Sequence, residues 1–91
     1  MTILFNIGRL VATPGAIDAC NTSGDNILSF VARHAQGDWG ELDKEDVAAN
    51  NHALLDGSRL LSAYHLSDGT KIWIITESDR SSSCVLLPSE Y

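Results

Sequence analysis

The sequence predicts an α+β fold in the order β-α-α-α-β-β-β, with a C-terminal three-stranded antiparallel meander packed on helices. Three observations predict it. Residues 59–91 hold three apolar, β-rich runs separated by turn signals. Residues 13–57 hold three stretches with apolar residues at helical spacing and capping residues at their ends. A short β-rich run, TILFNIGRLVAT (residues 2–13), precedes them. The 91 residues contain no linker, repeat or low-complexity run, so residues 1–91 read as one small domain.

The first run reads as one strand or two short ones, with Gly8 marking a bulge or a close approach. Thr13-Pro14 reads as a helix start, with Thr13 as N-cap and Pro14 at the first helical position. That helix runs to about Cys20, and residues 21–24 end it. Asp25 or Asn26 caps a second helix over about 26–35, whose stripe is Ile27, Phe30, Val31 and His34. Its dipole would favour a protonated His34 in the last turn. Residues 36–40 form a turn around Trp39. Asp43 caps a third helix that ends at Gly57, with Val47, Ala48, Asn51, Leu54 and Leu55 as its inner stripe. Asn50 and Asn51 lie on or beside that stripe. They either pin the helix to the 37–40 loop or line a cleft.

In the meander, Asp68-Gly69 sits between two alternating runs, a strong hairpin signal. With these two residues as the centre of a type I′ turn, Tyr64 pairs with Trp73 and His65 with Ile72. Tyr64 and Trp73 then form an aromatic pair on one face. Both faces carry apolar residues, so the face away from the helices needs its own cover. The N-terminal segment, a second copy and a partner are the choices. Residues 77–82 are a polar break, residues 84–87 a short third strand, and Pro88 ends it.

The net charge is −6, from 12 acidic and 6 basic residues, and the pI is about 4.7. This balance argues against non-specific nucleic-acid binding, which relies on a basic footprint. Cys20 and Cys84 are far apart in sequence and read as reduced thiols; one disulfide stays open. No run approaches 18 apolar residues, and residues 1–15 lack the pattern of a secretory signal. The expectation is a soluble, cytoplasmic protein with no membrane partner.

No phosphate-binding glycine loop and no nucleophile elbow is present. His34, His52 and His65 lack metal-ligand spacing, so neither a metal nor a cofactor is expected. If the chain is an enzyme, the catalytic candidates are His34, Arg59, His65, Glu77 and Arg80, which offer acid–base groups and an anion-binding fork. The partner-binding candidates are Trp39, Tyr64 and Trp73. Each has a structural alternative: His34 hydrogen-bonded at a helix end, Trp39 filling the core, Tyr64 and Trp73 packing the sheet. Arg80 can shape its turn by pairing with Asp79, Glu77 or Glu90.

The run from Trp73 to Tyr91, with His34–Gly40 and Gly57–Tyr64 upstream, resembles a group of short prokaryotic proteins usually called hypothetical or plasmid-related. The likeness spans roughly residues 28–91. Related sequences tend to have Thr where this chain has Ser83 and Cys84. The resemblance implies mobile-element or accessory biology and brings no activity with it. More loosely, the order of elements is similar to barnase/RelE-type ribonucleases, which place His, Glu, Arg or Tyr on a sheet. Three readings follow: a non-enzymatic accessory or interaction protein, acting on another protein or as a homodimer through the Tyr64/Trp73 face; a small ribonuclease-type enzyme; or a nucleic-acid-mimicking inhibitor, which fits the charge but lacks a long acidic stripe.

Overall fold

A computed structural model describes residues 2–91. Among the described residues the elements are β1 (Arg9–Ala12), α1 (Pro14–Ser23), α2 (Ile27–Ala35), α3 (Lys44–Asp56), β2 (Leu60–His65), β3 (Lys71–Thr76) and β4 (Ser82–Leu86). A single turn of 3-10 helix, Pro88–Glu90, follows. The α+β class and the β-α-α-α-β-β-β order are those of the sequence reading. The sheet order is β1-β4-β3-β2. β2, β3 and β4 are antiparallel neighbours, and β1 adds to β4 in parallel, so the sheet is mixed.

Local chemistry fixes the helix ends. Thr13 accepts from the Ala16 amide at 3.1 Å, and Pro14 opens α1. Gly24, left-handed at φ 79°, closes it three residues later than Cys20, because Asn21–Ser23 continue the helix. Asn26, not Asp25, caps α2 through the Leu28 amide. Asp25 instead binds the Ser67 amide and hydroxyl, both at 2.7 Å, and ties the α1–α2 turn to the β2–β3 turn. Asp43 caps α3 through Asp46 at 2.8 Å.

The inner stripe of α3 is rotated from its expected place. Asn50 and Ala53 are buried, while Ala48 and Asn51 are exposed and Leu55 is 87% exposed. Asn50 turns inward because its amide brackets the Leu61 backbone: its Oδ1 accepts from Leu61 N–H at 3.1 Å and its Nδ2 donates to Leu61 C=O. It thereby supplies a missing strand to the outer edge of β2. Two residues along, the Trp39–Glu41 backbone does the same at Ala63, with bonds of 3.1 and 2.6 Å. This leaves no room at Gly40, where a Cβ would overlap the Ala63 carbonyl oxygen.

The hairpin register is one residue from the expected one. Leu66 N–H donates to Thr70 C=O at 2.7 Å and Gly69 N–H to Leu66 C=O at 2.9 Å. The loop therefore has three residues, with Gly69 left-handed at φ 89°. Tyr64 pairs with Ile72, and Trp73 with Ala63. A slip of one residue exchanges faces, so Tyr64 and Trp73 lie on opposite sides of the sheet and the expected aromatic pair does not form. A single contact face therefore cannot use both rings.

The helix side of the sheet carries Leu60, Tyr64, Ile72, Ile74 and Val85, all essentially inaccessible to solvent. Ala16 and Cys20 of α1 and Phe30 and Val31 of α2 pack on them. Trp39, Ala53 and Leu60 form a second cluster with Phe5 packed against it. Both cysteines are free thiols. Among the described residues no helix is long and apolar enough to cross a membrane.

Candidate functional site

The two sides of the sheet gather polar chemistry in opposite ways. On the helix side, α2 delivers His34 onto the sheet with no solvent-accessible surface. Its Nδ1 meets Ser62 Oγ of β2 at 2.5 Å, and its Nε2 meets Thr76 Oγ1 of β3 at 2.8 Å. Thr76 Oγ1 lies 2.6 Å from Ser83 Oγ of β4, which donates to the Ile7 carbonyl at 2.7 Å. Strand alternation puts Ser62, Thr76 and Ser83 on one face of the sheet, where Thr76 pairs with Ser83 and Ser62 with Ile74.

The terminal carbonyl orients this whole chain. Ser83 uses its only proton on Ile7, so Thr76 donates to Ser83 and His34 Nε2–H donates to Thr76. His34 Nδ1 is then the acceptor of the Ser62 hydroxyl. The ring is neutral in its Nε2–H tautomer. Burial, and after it the Arg80 cation, lower its pKa from 6.5 to about 4. The helix-dipole preference for a charged ring is overridden by desolvation. Phe5 and Trp39 close the ring in edge-on contacts, with centroids at 5.2 and 5.7 Å.

Arg80 is placed by the β3–β4 turn, where it holds φ 59°, unusual for a non-glycine residue. Its guanidinium donates to the carbonyls of Ser58 (2.6 Å), Glu77 (3.1 Å) and Ala53 (3.1 Å). Its charge thus sits at the C-terminal end of α3, where a cation is favoured. These partners are carbonyls and not the carboxylates of Asp79, Glu77 or Glu90.

On the other side of the sheet, Arg59 donates to the Tyr91 hydroxyl at 2.7 Å and to Glu77 Oε1 at 3.3 Å. The Tyr91 hydroxyl, followed by the Glu77 charge, raises the Arg59 pKa. Trp73 meets the Tyr91 ring edge-on at 5.7 Å. Tyr91 is 71% exposed, and the side chains of Arg59 and Glu77 are about half exposed. Ile75, which alternation puts between Trp73 and Glu77 on this face, is buried. The C-terminal residues thus supply part of the cover that this face requires.

Of the expected site residues, the structure brings Arg59, Glu77 and Trp73 together and adds Tyr91. The others lie outside this group, with Trp39 and Arg80 beside His34. His65 lies at the far end of β2, six residues and about 20 Å along the strand from Arg59. His34 is on the opposite side of the sheet. Tyr64 is 1% exposed, donates to the Asp38 carbonyl at 2.6 Å and carries Arg33 over its ring. Trp39 is buried, and its Nε1–H donates to Asn51 at 3.2 Å, so Asn51 ties α3 to the 37–40 loop. Asp38 pairs with Arg33 at 2.6 Å. The set Ser62–Thr76–Ser83 was not among the sequence candidates. Three small hydroxyl residues at inward positions of three successive runs were its available signal.

A separate groove of about 410 Å³ at the α1–α2 junction is lined by Ile17, Cys20 and residues 21 and 24–27. Its one carboxylate, Asp25, is occupied by Ser23 and Ser67. Among the described residues no three His, Cys, Asp or Glu side chains converge to hold a metal ion. No protein-family model matches the chain, and no curated protein or solved structure matches it.

Proposed function

We propose that this chain is a small accessory protein that acts by binding and not by catalysis, with the open sheet face around Trp73 as its working surface. One observation carries the reading. The groups able to do acid–base chemistry are apart or engaged, while a partly buried Trp73 and the exposed Tyr91 and Arg59 stand preassembled at the surface. A ribonuclease of the barnase/RelE kind needs an acid and a base within reach of one phosphodiester. Here neither His34 nor His65 reaches the Glu77–Arg59 pair. Trp, Tyr and Arg are the residue types that dominate binding energy at protein interfaces.

A second copy of the chain is the first partner to test. Arg59 and Glu77 are adjacent, so a two-fold axis near them sets the Arg of each copy against the Glu of the other. Sedimentation velocity from micromolar to millimolar concentration checks this. The expected result is reversible dimerisation that Trp73→Ala abolishes. A monomer throughout the range removes the second copy as partner, and a dimer indifferent to Trp73→Ala removes the face. Cleavage of single-stranded RNA that is lost in Glu77→Gln would overturn the non-enzymatic reading itself.

A further inference from the structure

The N-terminal segment, residues 2–8, is held lightly. It contains no helix or strand. Its bonds to the rest of the described chain are Leu4 N–H to the Ala35 carbonyl at 2.8 Å and the Ile7 carbonyl to Ser83 at 2.7 Å. Phe5 and Ile7 are partly buried, and the other residues of the segment are exposed. Yet this segment closes His34. Phe5 lies edge-on against the imidazole and stacks with Trp39 at 6.1 Å, while Arg80 sits over its outer side. The last link of the hydroxyl chain is the segment's own Ile7 carbonyl.

The surroundings of His34 hold no anion to offset a positive charge. Ser62 and Thr76 are neutral hydroxyls, and Phe5 and Trp39 are apolar walls. Arg80 is the charged group that acts on the ring, and it is a cation. The Arg33–Asp38 pair beyond Tyr64 is mutually neutralised. A protonated His34 therefore needs water, and lifting the segment admits it without breaking the sheet.

We propose that residues 2–8 are an acid-released cover: protonation of His34 is coupled to local opening of this segment while the four-stranded sheet stays intact. The opened form presents Phe5 and Trp39 to solvent, so the device changes the apolar surface of the protein with pH.

A ring that is held neutral when covered and ordinary when hydrated makes opening roughly 30-fold more favourable at pH 5 than at pH 7.5. Hydrogen exchange, corrected for the intrinsic pH dependence of exchange, tests this in the full chain. The expected result is a Leu4 amide that is less protected than Ile74 of the central strand at every pH, and that loses about 30-fold protection at pH 5. His34→Gln should remove the pH response at Leu4. Equal protection of Leu4 and the sheet amides at pH 5 would overturn the proposal, because the proton would then enter only by global unfolding. A Leu4 amide indifferent to pH would overturn it too. If His34→Gln does not fold, the wild-type comparison of Leu4 with Ile74 still decides.

Discussion

The two faces of one sheet use similar residues for opposite ends. Under the helices His34 and three hydroxyls, and at the end of α3 a partly exposed Arg80, are consumed in holding elements together. On the open face, Arg59, Glu77 and Tyr91 make comparable hydrogen bonds in solvent. The difference lies in what each bond costs to break. A buried partner left unsatisfied costs about 1–3 kcal/mol, whereas an exposed ion pair contributes about 0–1 kcal/mol. The same side chain types therefore build the fold on one side and stay available on the other. Residue identity alone does not assign a role; solvent access does.

That contrast can be broken by substitution. The largest effect is expected from His34→Leu, which strands the Ser62 and Thr76 hydroxyls in a closed site. A loss of about 3 kcal/mol is expected, read from urea unfolding. A loss below about 1 kcal/mol would show that the hydroxyls re-pair without the ring.

Acid sharpens the same contrast. His34 has a folded pKa near 4, below its unfolded value of 6.5. The unfolded state binds the proton first, so this contribution is complete above pH 6.5 and is lost as pH falls toward 4. The total is about 3 kcal/mol. Urea midpoints at pH 7.5 and 4.5, each referred to His34→Gln, isolate it from the carboxylates.

Arg80→Ala comes next. It removes the donors to Ser58, Ala53 and Glu77 and should cost about 1–2 kcal/mol without changing behaviour at the open face. Tyr91→Phe is the smallest. Arg59 loses an exposed acceptor, and thermal stability should change by less than about 0.5 kcal/mol. A larger loss would mean that the C-terminal cover, not the core, holds this face.

How far the sequence reached follows the same divide between local and distant. Helix boundaries were legible because caps act over three residues: Thr13, Asp43 and Gly57 do what their positions imply. Asn26 rather than Asp25 was settled by a distant partner, Ser67. The hairpin register was not legible, since Asp68-Gly69 serves a two-residue or a three-residue loop and both faces held apolar residues. Tyr64 and Trp73 were misassigned to one face for that reason alone. The rotation of α3 was hidden because Asn50 is buried for its bond to Leu61, which no helical periodicity encodes. At the candidate site, the neighbourhood of Arg59 and Glu77 could be drawn from the hairpin, but Tyr91 arrives from the chain terminus. The partners of His34 lie 28 and 42 residues away.

The most direct test is nitrogen-detected NMR of the His34 ring at pH 6. The expected result is a neutral imidazole with its proton on Nε2 and Nδ1 as acceptor from Ser62. A protonated ring, or a proton on Nδ1, in the folded protein would contradict it, because the helix side would then hold a hydrated, available histidine and the two faces would not be opposites.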